Sequence, residues 1–134
     1  MKDEEIRDIL SSSKNVAVVG ISPKEDRPSY LVASYLKSKG YRVFPVRPDG
    51  DFILGEKVYH SLSEIPGEIN LDVVDIFRKP EDVLPIVEEA VQRGTRVVWM
   101  QEGIVNEEAA AKAQKAGLRV VMNRCMKKDH QRLF

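Results

Sequence analysis

Five short, mostly apolar runs are spaced along the chain, and a turn signal follows each of them. The runs cover residues 16–19, 43–46, 71–77, 96–100 and 118–122. Continuous apolar runs of this length are typical of strands buried on both faces, as in a parallel sheet. Pro45 interrupts the second run, and it predicts a strand near the sheet edge because proline donates no ladder hydrogen bond.

Between the runs, apolar residues recur at helical spacing. These segments cover residues 2–12, 28–39, 81–93 and 106–116. Pro28 suits the first turn of its helix, where a missing N–H costs nothing, and Pro85 is tolerated only in a first turn. Asn106 is the predicted N-cap of the last of these helices. The first segment has one apolar face among charges, so we expect it to cover the sheet or its edge.

The alternation of strands and helices predicts an α/β fold in which one doubly wound parallel sheet carries helices on both faces. Right-handed crossovers place the five main strands in the order 2-1-3-4-5. A very short strand at Val58 and Tyr59 is expected outside strand two. Residues 47–57 are predicted to be a surface loop and residues 123–134 a polar tail with an apolar end. No linker or repeat divides the chain, so residues 1–134 are one predicted domain.

Charge is balanced in this chain, with 21 Lys and Arg against 21 Asp and Glu. The balance argues against a nucleic-acid partner and an anionic membrane surface, since both usually require a basic field. A single cysteine excludes an intrachain disulfide framework and a thiolate metal cluster. No apolar run reaches transmembrane length, and the first residues are unlike a signal peptide, so the cytoplasm is the expected location.

The turn after the first strand is the first candidate for chemistry. Gly20, Ile21 and Ser22 precede a helix that starts at Pro28, so free backbone N–H groups and a positive helix end would favour a phosphate or pyrophosphate. The turn departs from the dinucleotide fingerprint Gly-x-Gly-x-x-Gly, because only the first glycine is present and the loop is longer. The alternative is an ordinary strand-to-helix turn that binds no ligand.

Arg47 and Pro48 follow the second strand, where an NAD site usually has an acidic residue for the ribose hydroxyls. An arginine there suits a phosphate on the adenosine ribose, as found in NADP and in coenzyme A. The alternative is a solvated loop cation.

Two other strand ends are expected at the same sheet edge as Gly20. Phe77-Arg78 ends the third main strand, and Gln101-Glu102-Gly103 ends the fourth. Phe77 could wall a ligand groove and Arg78 could meet a phosphate. The alternatives are that Phe77 closes the core and Arg78 pairs with a nearby carboxylate.

Other polar residues are expected to be structural. Asp75, within the third strand, is predicted to find a hydrogen-bonding partner. His60 and His130 lie in polar stretches and are predicted at the surface. The chain has no Gly-x-Ser-x-Gly elbow, no His-Glu-x-x-His pair and no Walker lysine loop. Ile21 and Ser22 stand where a receiver domain of this topology needs acidic residues.

Several short motifs occur in the order seen in a known family. They are Val-Val-Gly-Ile-Ser, Arg-Pro-Ser-Tyr, Gly-Tyr-Arg-Val-Phe-Pro-Val-Arg-Pro, Ile-Leu-Gly, Phe-Arg-Lys-Pro-Glu, Val-Trp-Met-Gln-Glu-Gly and Asn-Arg-Cys. From about residue 5 to its end, the chain resembles the small stand-alone CoA-binding domain family. That family is similar to the amino-terminal CoA-binding domain of the succinyl-CoA synthetase alpha subunit.

The resemblance implies a Rossmann-like sheet with CoA bound across its carboxyl edge. It places Gly20, Ile21 and Ser22 at the pyrophosphate, with Arg27 and Ser29 near the same group. The family's usual Asn-Pro falls on Arg47-Pro48, and its Asp-Arg-Cys becomes Asn123-Arg124-Cys125. The segments Phe77-Arg78 and Gln101-Glu102-Gly103 match those that line the adenosine and pantetheine path. The synthetase phosphohistidine has no counterpart in this chain.

These observations together predict a cytoplasmic CoA-binding or acyl-CoA-binding protein without catalysis of its own. The rivals are an NADP-binding domain of a reductase and a relative of an acyl-CoA ligase, both of which normally need a substrate domain. A third interpretation is a subunit that reports CoA or acyl-CoA levels to a protein partner. Cys125 follows the last strand, so it is either a buried, inert thiol or close enough to the CoA thiol for disulfide exchange.

Overall fold

The computed structural model describes residues 1–134 and contains five helices and seven strands. The helices are α1 (Asp3–Ser12), α2 (Pro28–Ser38), α3 (Val83–Gln92), α4 (Glu107–Lys115) and α5 (Met126–Leu133). The strands are β1 (Asn15–Val19), β2 (Arg42–Val46), β3 (Phe52–Ile53), β4 (Glu56–Lys57), β5 (Val73–Ile76), β6 (Val97–Met100) and β7 (Arg119–Val121). Single 3-10 turns cover Leu62–Glu64 and Pro80–Asp82.

The five main strands form one parallel sheet in the order β2-β1-β5-β6-β7. This is the predicted order 2-1-3-4-5, and the Rossmann-like α/β class is confirmed. β5 and β6 are buried at every position, as their continuous apolar runs predicted. The strand order reverses between β1 and β5, and such a switch point opens a crevice at the carboxyl ends of the strands.

Helices cover both faces of the sheet and complete two apolar cores. α1, α2 and α5 pack on one face, where Trp99 is fully buried. α3 and α4 pack on the other face, where three alanines of α4 allow close approach to the sheet. Asn106 caps α4 as predicted, with its Oδ1 accepting a hydrogen bond from the Ala109 N–H at 2.9 Å. Pro85 lies in the first turn of α3, where it was expected.

The short strand predicted outside β2 is present only as a single bridge to β2. The Tyr59 N–H donates to the Pro45 carbonyl at 2.9 Å, and the Arg47 N–H donates to the Tyr59 carbonyl at 3.0 Å. This single parallel bridge joins Val46 and Tyr59. Pro45 therefore sits in the edge strand of the main sheet, because the bridge uses its carbonyl and needs no N–H from it.

Two segments differ from prediction. The expected loop 47–57 contains a two-stranded hairpin, β3 and β4, whose turn residues Leu54 and Gly55 have φ values of 56° and 73°. A two-residue hairpin turn of this type requires left-handed backbone at both positions; Gly55 adopts it freely, whereas it is uncommon for a residue such as Leu54, which is why the sequence did not predict this turn. The expected polar tail contains α5, which buries Met126 and Asp129.

Aromatic contacts hold α5 against α2. The Tyr35 hydroxyl lies 2.7 Å from His130 Nδ1, and the His130 ring stacks on Phe134 with centroids 4.9 Å apart. Burial, with a smaller contribution from Lys39, lowers the pKa of His130. His130 is half-buried, so its ring lies at the surface, as predicted, and also takes part in the packing between these helices.

Asp75 also differs from prediction, because neither of its carboxylate oxygens has a hydrogen-bond partner. It lies within β5 between Val18 and Trp99 and has no exposed surface. Burial raises the pKa of Asp75 well above its ordinary value. A protonated, neutral carboxyl is the form that this apolar site favours.

Candidate functional site

Gly20 brings the first turn against the end of β5. Its φ is 86°, and a Cβ atom there would overlap the Phe77 carbonyl oxygen and lie 2.8 Å from Arg78 Cδ. The Gly20 N–H donates to the Val46 carbonyl at 2.9 Å. Only glycine meets both requirements, a left-handed conformation and no side chain. The turn is therefore fixed between β2 and β5.

Ser29 ties this turn to the start of α2. The Ser22 N–H donates to Ser29 Oγ at 2.9 Å, and Ser22 Oγ accepts from the Lys24 N–H at 3.1 Å. The amides of Gly20 and Ser22 are thus occupied within the chain, contrary to the expectation that they are free. Unpartnered backbone donors at this place include those of Ile21, Ser29 and Tyr30. Arg27, just before the helix, is exposed.

Arg47 spans from the end of β2 to the first turn. Its Nε and Nη2 donate to Asp49 Oδ1 at 3.0 and 2.8 Å, and its Nη1 donates to the Ile21 carbonyl at 3.2 Å. The Arg47 side chain is 25% exposed and the Asp49 side chain 80% exposed. Arg47 is therefore held over the turn, and its anionic partner Asp49 is exposed to solvent.

Phe77 and Arg78 directly follow β5 and line the crevice beyond its end. The Phe77 N–H donates to the Val19 carbonyl at 2.8 Å, which keeps β5 in register with β1 past its last residue. Arg78 Nη2 lies 3.5 Å from Asp82 Oδ2, with both side chains partly exposed. A pair of this kind contributes little to stability, so the Arg78 guanidinium can change partner at low cost.

Gln101 and Gly103, after β6, are bonded to the segment that follows β7. Gln101 is buried, and its Oε1 accepts a hydrogen bond from the Met126 N–H at 3.1 Å. The Gly103 N–H donates to Asn123 Oδ1 at 2.7 Å. Gln101 thus caps the start of α5, a role that sequence reasoning missed because it did not predict α5.

Four adjoining cavities form one groove along the carboxyl edge of the sheet, which we call the edge groove. Their volumes are about 380, 440, 370 and 500 Å³ from the β2 end to the α5 end. Gly20, Arg47 and Arg78 line the first two cavities, and Phe77 lines the last three. Of the residues predicted for the site, all except Gly103 line the groove: Gly20, Ile21, Ser22, Arg27, Ser29, Arg47, Pro48, Phe77, Arg78 and Gln101.

Sequence reasoning missed the walls at both ends of the groove. His60, Ser61 and Leu62 close the β2 end, facing Glu89 of α3. The Leu62 N–H donates to Glu89 Oε1 at 2.6 Å, which joins these two walls. The short strand predicted at residues 58–59 was a signal for this wall, because it placed the following residues beside the end of β2.

The opposite end of the groove is formed by α2, the loop after β6 and the start of α5. Cys125 lies there, with only 9% of its surface exposed. No three His, Cys, Asp or Glu side chains of the chain come together in a way that could hold a metal ion. None of the helices has the length and apolar character required to cross a membrane.

Comparison with known proteins places this fold in a family. The profile of the family described as "CoA binding domain" matches residues 14–131. The chain belongs to this CoA-binding domain family. An uncharacterised protein of Bacillus subtilis, YneT, is 41% identical over 126 residues, which are 94% of this chain and 92% of that protein.

Larger enzymes contain a similar region. The ADP-forming acetate–CoA ligase II of Archaeoglobus fulgidus is 29% identical over 113 residues, covering 82% of this chain but only 16% of the ligase. Among solved structures, a hypothetical protein from Pyrococcus horikoshii is 45% identical, with a TM-score of 0.95 over 99% of this chain and 92% of that one. This chain thus spans nearly all of its small relatives and a minor part of the ligases.

Proposed function

We propose that the chain binds coenzyme A or an acyl thioester of it along the edge groove, and that it has no catalytic activity of its own. The observation that carries this proposal is a row of adjoining cavities across the carboxyl edge, in a chain of the CoA-binding domain family. An extended groove of linked cavities suits a long ligand with a charged middle. The relationship to ADP-forming acetate–CoA ligases supports the same ligand class.

In this proposal, the ligand pyrophosphate lies at Gly20, Ile21 and Ser22. The free Ile21 amide and the first amides of α2 supply donors and a positive helix end. The adenosine half points toward the end of β2, where sheets of this type hold the adenosine ribose. The pantetheine half then passes Phe77 and runs toward Gln101 and α5.

Arg47 is proposed to bind the 3′-phosphate of CoA. A guanidinium can grip a phosphate with two charge-assisted hydrogen bonds, which would replace those now made to Asp49. Pro48 biases Arg47 toward an extended backbone, which directs the side chain off the end of β2. Arg78 and Lys24 are the competing cations for this phosphate.

The ligand class is tested by thermal unfolding with equal concentrations of CoA, NADP and NAD. A ligand that binds only the folded state at 100 times its Kd adds about 2.7 kcal/mol to the free energy of unfolding. CoA should raise Tm the most. If NADP stabilises the chain more than CoA does, the chain is an NADP-binding domain, since Arg47 also suits a phosphate on the NADP ribose.

The role of Arg47 is tested by titrating CoA and dephospho-CoA in a calorimeter. Arg47→Ala should weaken CoA binding by about 1–2 kcal/mol, roughly tenfold, and leave dephospho-CoA almost unchanged. Arg96→Ala is the matched control. Arg96 is exposed and pairs with Asp72, and it directly precedes β6, at the edge of the sheet opposite the groove. Equal weakening of both ligands would move Arg47 to the pyrophosphate or to a structural role, and no effect would leave it a solvated residue.

Asp49→Asn provides a test in the opposite direction. Removing the carboxylate frees Arg47 from its present ion pair and removes a negative charge near the proposed phosphate. CoA should then bind a few-fold more tightly than to the wild type, and dephospho-CoA should change less. Weaker CoA binding would show that Asp49 itself contacts the ligand, for example at the ribose hydroxyl.

A further inference from the structure

The cavity at the α5 end of the edge groove is larger and more apolar than a thiol terminus requires. Its volume is about 500 Å³, within the range that holds drug-sized ligands. Apolar atoms of Leu31, Val32, Phe77, Ile104 and Cys125 line it. Leu31, on α2, is 46% exposed at its mouth. We call this space the acyl cavity.

The acyl cavity adjoins the proposed pyrophosphate site. It shares Pro28, Phe77 and Ile104 with the neighbouring cavity that contains Gly20 and Ser22. A ligand held at the first turn and passing over Phe77 therefore arrives in this space. The end of the ligand, beyond the pantetheine sulfur, is the part that would occupy it.

The charged groups that line the acyl cavity are Glu102, Lys127 and Lys128. Lys128 Nζ lies 2.8 Å from Glu102 Oε1, and Lys127 Nζ stands 5.7 Å from the centre of the Tyr35 ring. Gln101 Oε1 accepts the Met126 N–H. Lys127 has no carboxylate partner, so an anionic end group is the alternative occupant that the experiment below tests. The exposed surface of the lining is mostly apolar, which favours an apolar group over a dicarboxylic one.

We propose that this cavity binds the acyl chain, so that the ligand is an acyl-CoA with an apolar acyl group rather than free CoA or succinyl-CoA. This inference rests on the proposed function, because it needs the CoA moiety to lie along the edge groove. Burial of the chain against Leu31, Phe77 and Ile104 provides the additional affinity.

The experiment is a calorimetric series with CoA, acetyl-CoA, butyryl-CoA, hexanoyl-CoA and succinyl-CoA. Affinity should rise about two- to fourfold for each methylene that enters the cavity. Succinyl-CoA should bind no more tightly than acetyl-CoA. Leu31→Ser should flatten the series while CoA binding is retained. Leu31→Trp, which fills the mouth of the cavity, should weaken hexanoyl-CoA more than CoA.

Phe52→Ser is the matched control, because Phe52 is 70% exposed on the β3–β4 hairpin and lies outside the groove. It should leave the whole series unchanged. If CoA binds and longer acyl chains give no gain, the acyl cavity is wrong while the proposed function stands. If the gain survives both Leu31 variants, the acyl chain lies elsewhere and the inference is equally overturned. If neither CoA nor any thioester binds, both proposals fail.

Discussion

Asp75 offers a sharp test of the packing, because it is a carboxyl group with no exposed surface and no partner. In the unfolded chain it ionises near its ordinary pKa of 3.8, whereas burial raises the pKa well above that value in the folded chain. The folded state therefore binds more protons than the unfolded state between these two pKa values. Wild-type stability should fall as pH rises through this window and be fully retained only below 3.8.

Asp75→Val replaces this group by an apolar, β-branched residue that suits a buried strand. It removes a polar group whose burial without a partner costs about 1–3 kcal/mol. It also removes the proton-linked cost, about 1.4 kcal/mol for each pH unit between 3.8 and the folded-state pKa. The variant should thus be more stable than the wild type, with a gain that grows from pH 4 toward neutrality.

Urea unfolding at several pH values from about 4 to 7.5 measures this difference. Asp75→Asn should also lose the pH dependence but gain less stability, because its amide remains without a partner. Asp51→Asn, at an exposed position, is the control for removing a carboxylate and should change little. A gain independent of pH would show that the pKa of Asp75 is not raised in the folded chain, and a loss with both Asp75 variants at neutral pH would show that the carboxylate is charged and has a partner.

Gly20→Ala should destabilise the fold by about 1–3 kcal/mol and abolish CoA binding, because a Cβ meets the Phe77 carbonyl; urea unfolding and calorimetry measure both. Arg93→Ala should cost about 2 kcal/mol or more in urea unfolding. Its guanidinium donates to the carbonyls of Leu62, Ile65, Pro66 and Ile69, and Arg93→Lys should recover only part of the loss. Cys125, only 9% exposed, should form little reductant-sensitive adduct with CoA disulfide in the native state and a full adduct in urea, by intact mass. A rapid native adduct would mean that the groove brings the two sulfur atoms together.

The sheet and its order were predictable because they depend on local signals and general rules. Continuous apolar runs identify strands that are buried on both faces, and right-handed crossovers restrict their order. Gly20 and Pro28 mark the first turn and the start of α2 in the sequence, and the structure places them there. The same rules predicted the location of the groove, because open sheets of this type have a crevice at the carboxyl edge, at the switch point.

α5 was not predictable because its apolar face is short and interrupted by charge. Met126, His130 and Leu133 share that face, and the residues between them are mainly Lys, Asp, Gln and Arg. The helix is held by tertiary contacts instead, above all by Gln101 at its start and Tyr35 at His130. Such contacts join residues distant in sequence, and no local pattern reports them.

The pairing of side chains within the groove was beyond sequence reasoning for the same reason. Ser29, Gln101 and Gly103 match family segments that line the CoA path, yet in the structure each is bonded to another part of the chain. Their bonds hold the turn, α2 and α5 in place around the groove. The donors left for the proposed ligand are few: the Ile21 amide has no partner in the chain, and Arg47 and Arg78 are each paired with a partly or fully exposed aspartate.

This division of roles indicates how the two ends of the groove contribute to binding. In the proposed complex, each arginine at the β2 end would exchange a carboxylate for a phosphate, so the net gain from the phosphates would be modest. At the α5 end, burial of apolar surface would have no such offset, because Leu31 is 46% exposed before binding. The phosphates would then mainly fix the register of the ligand, and the acyl chain would set the order of affinities among thioesters.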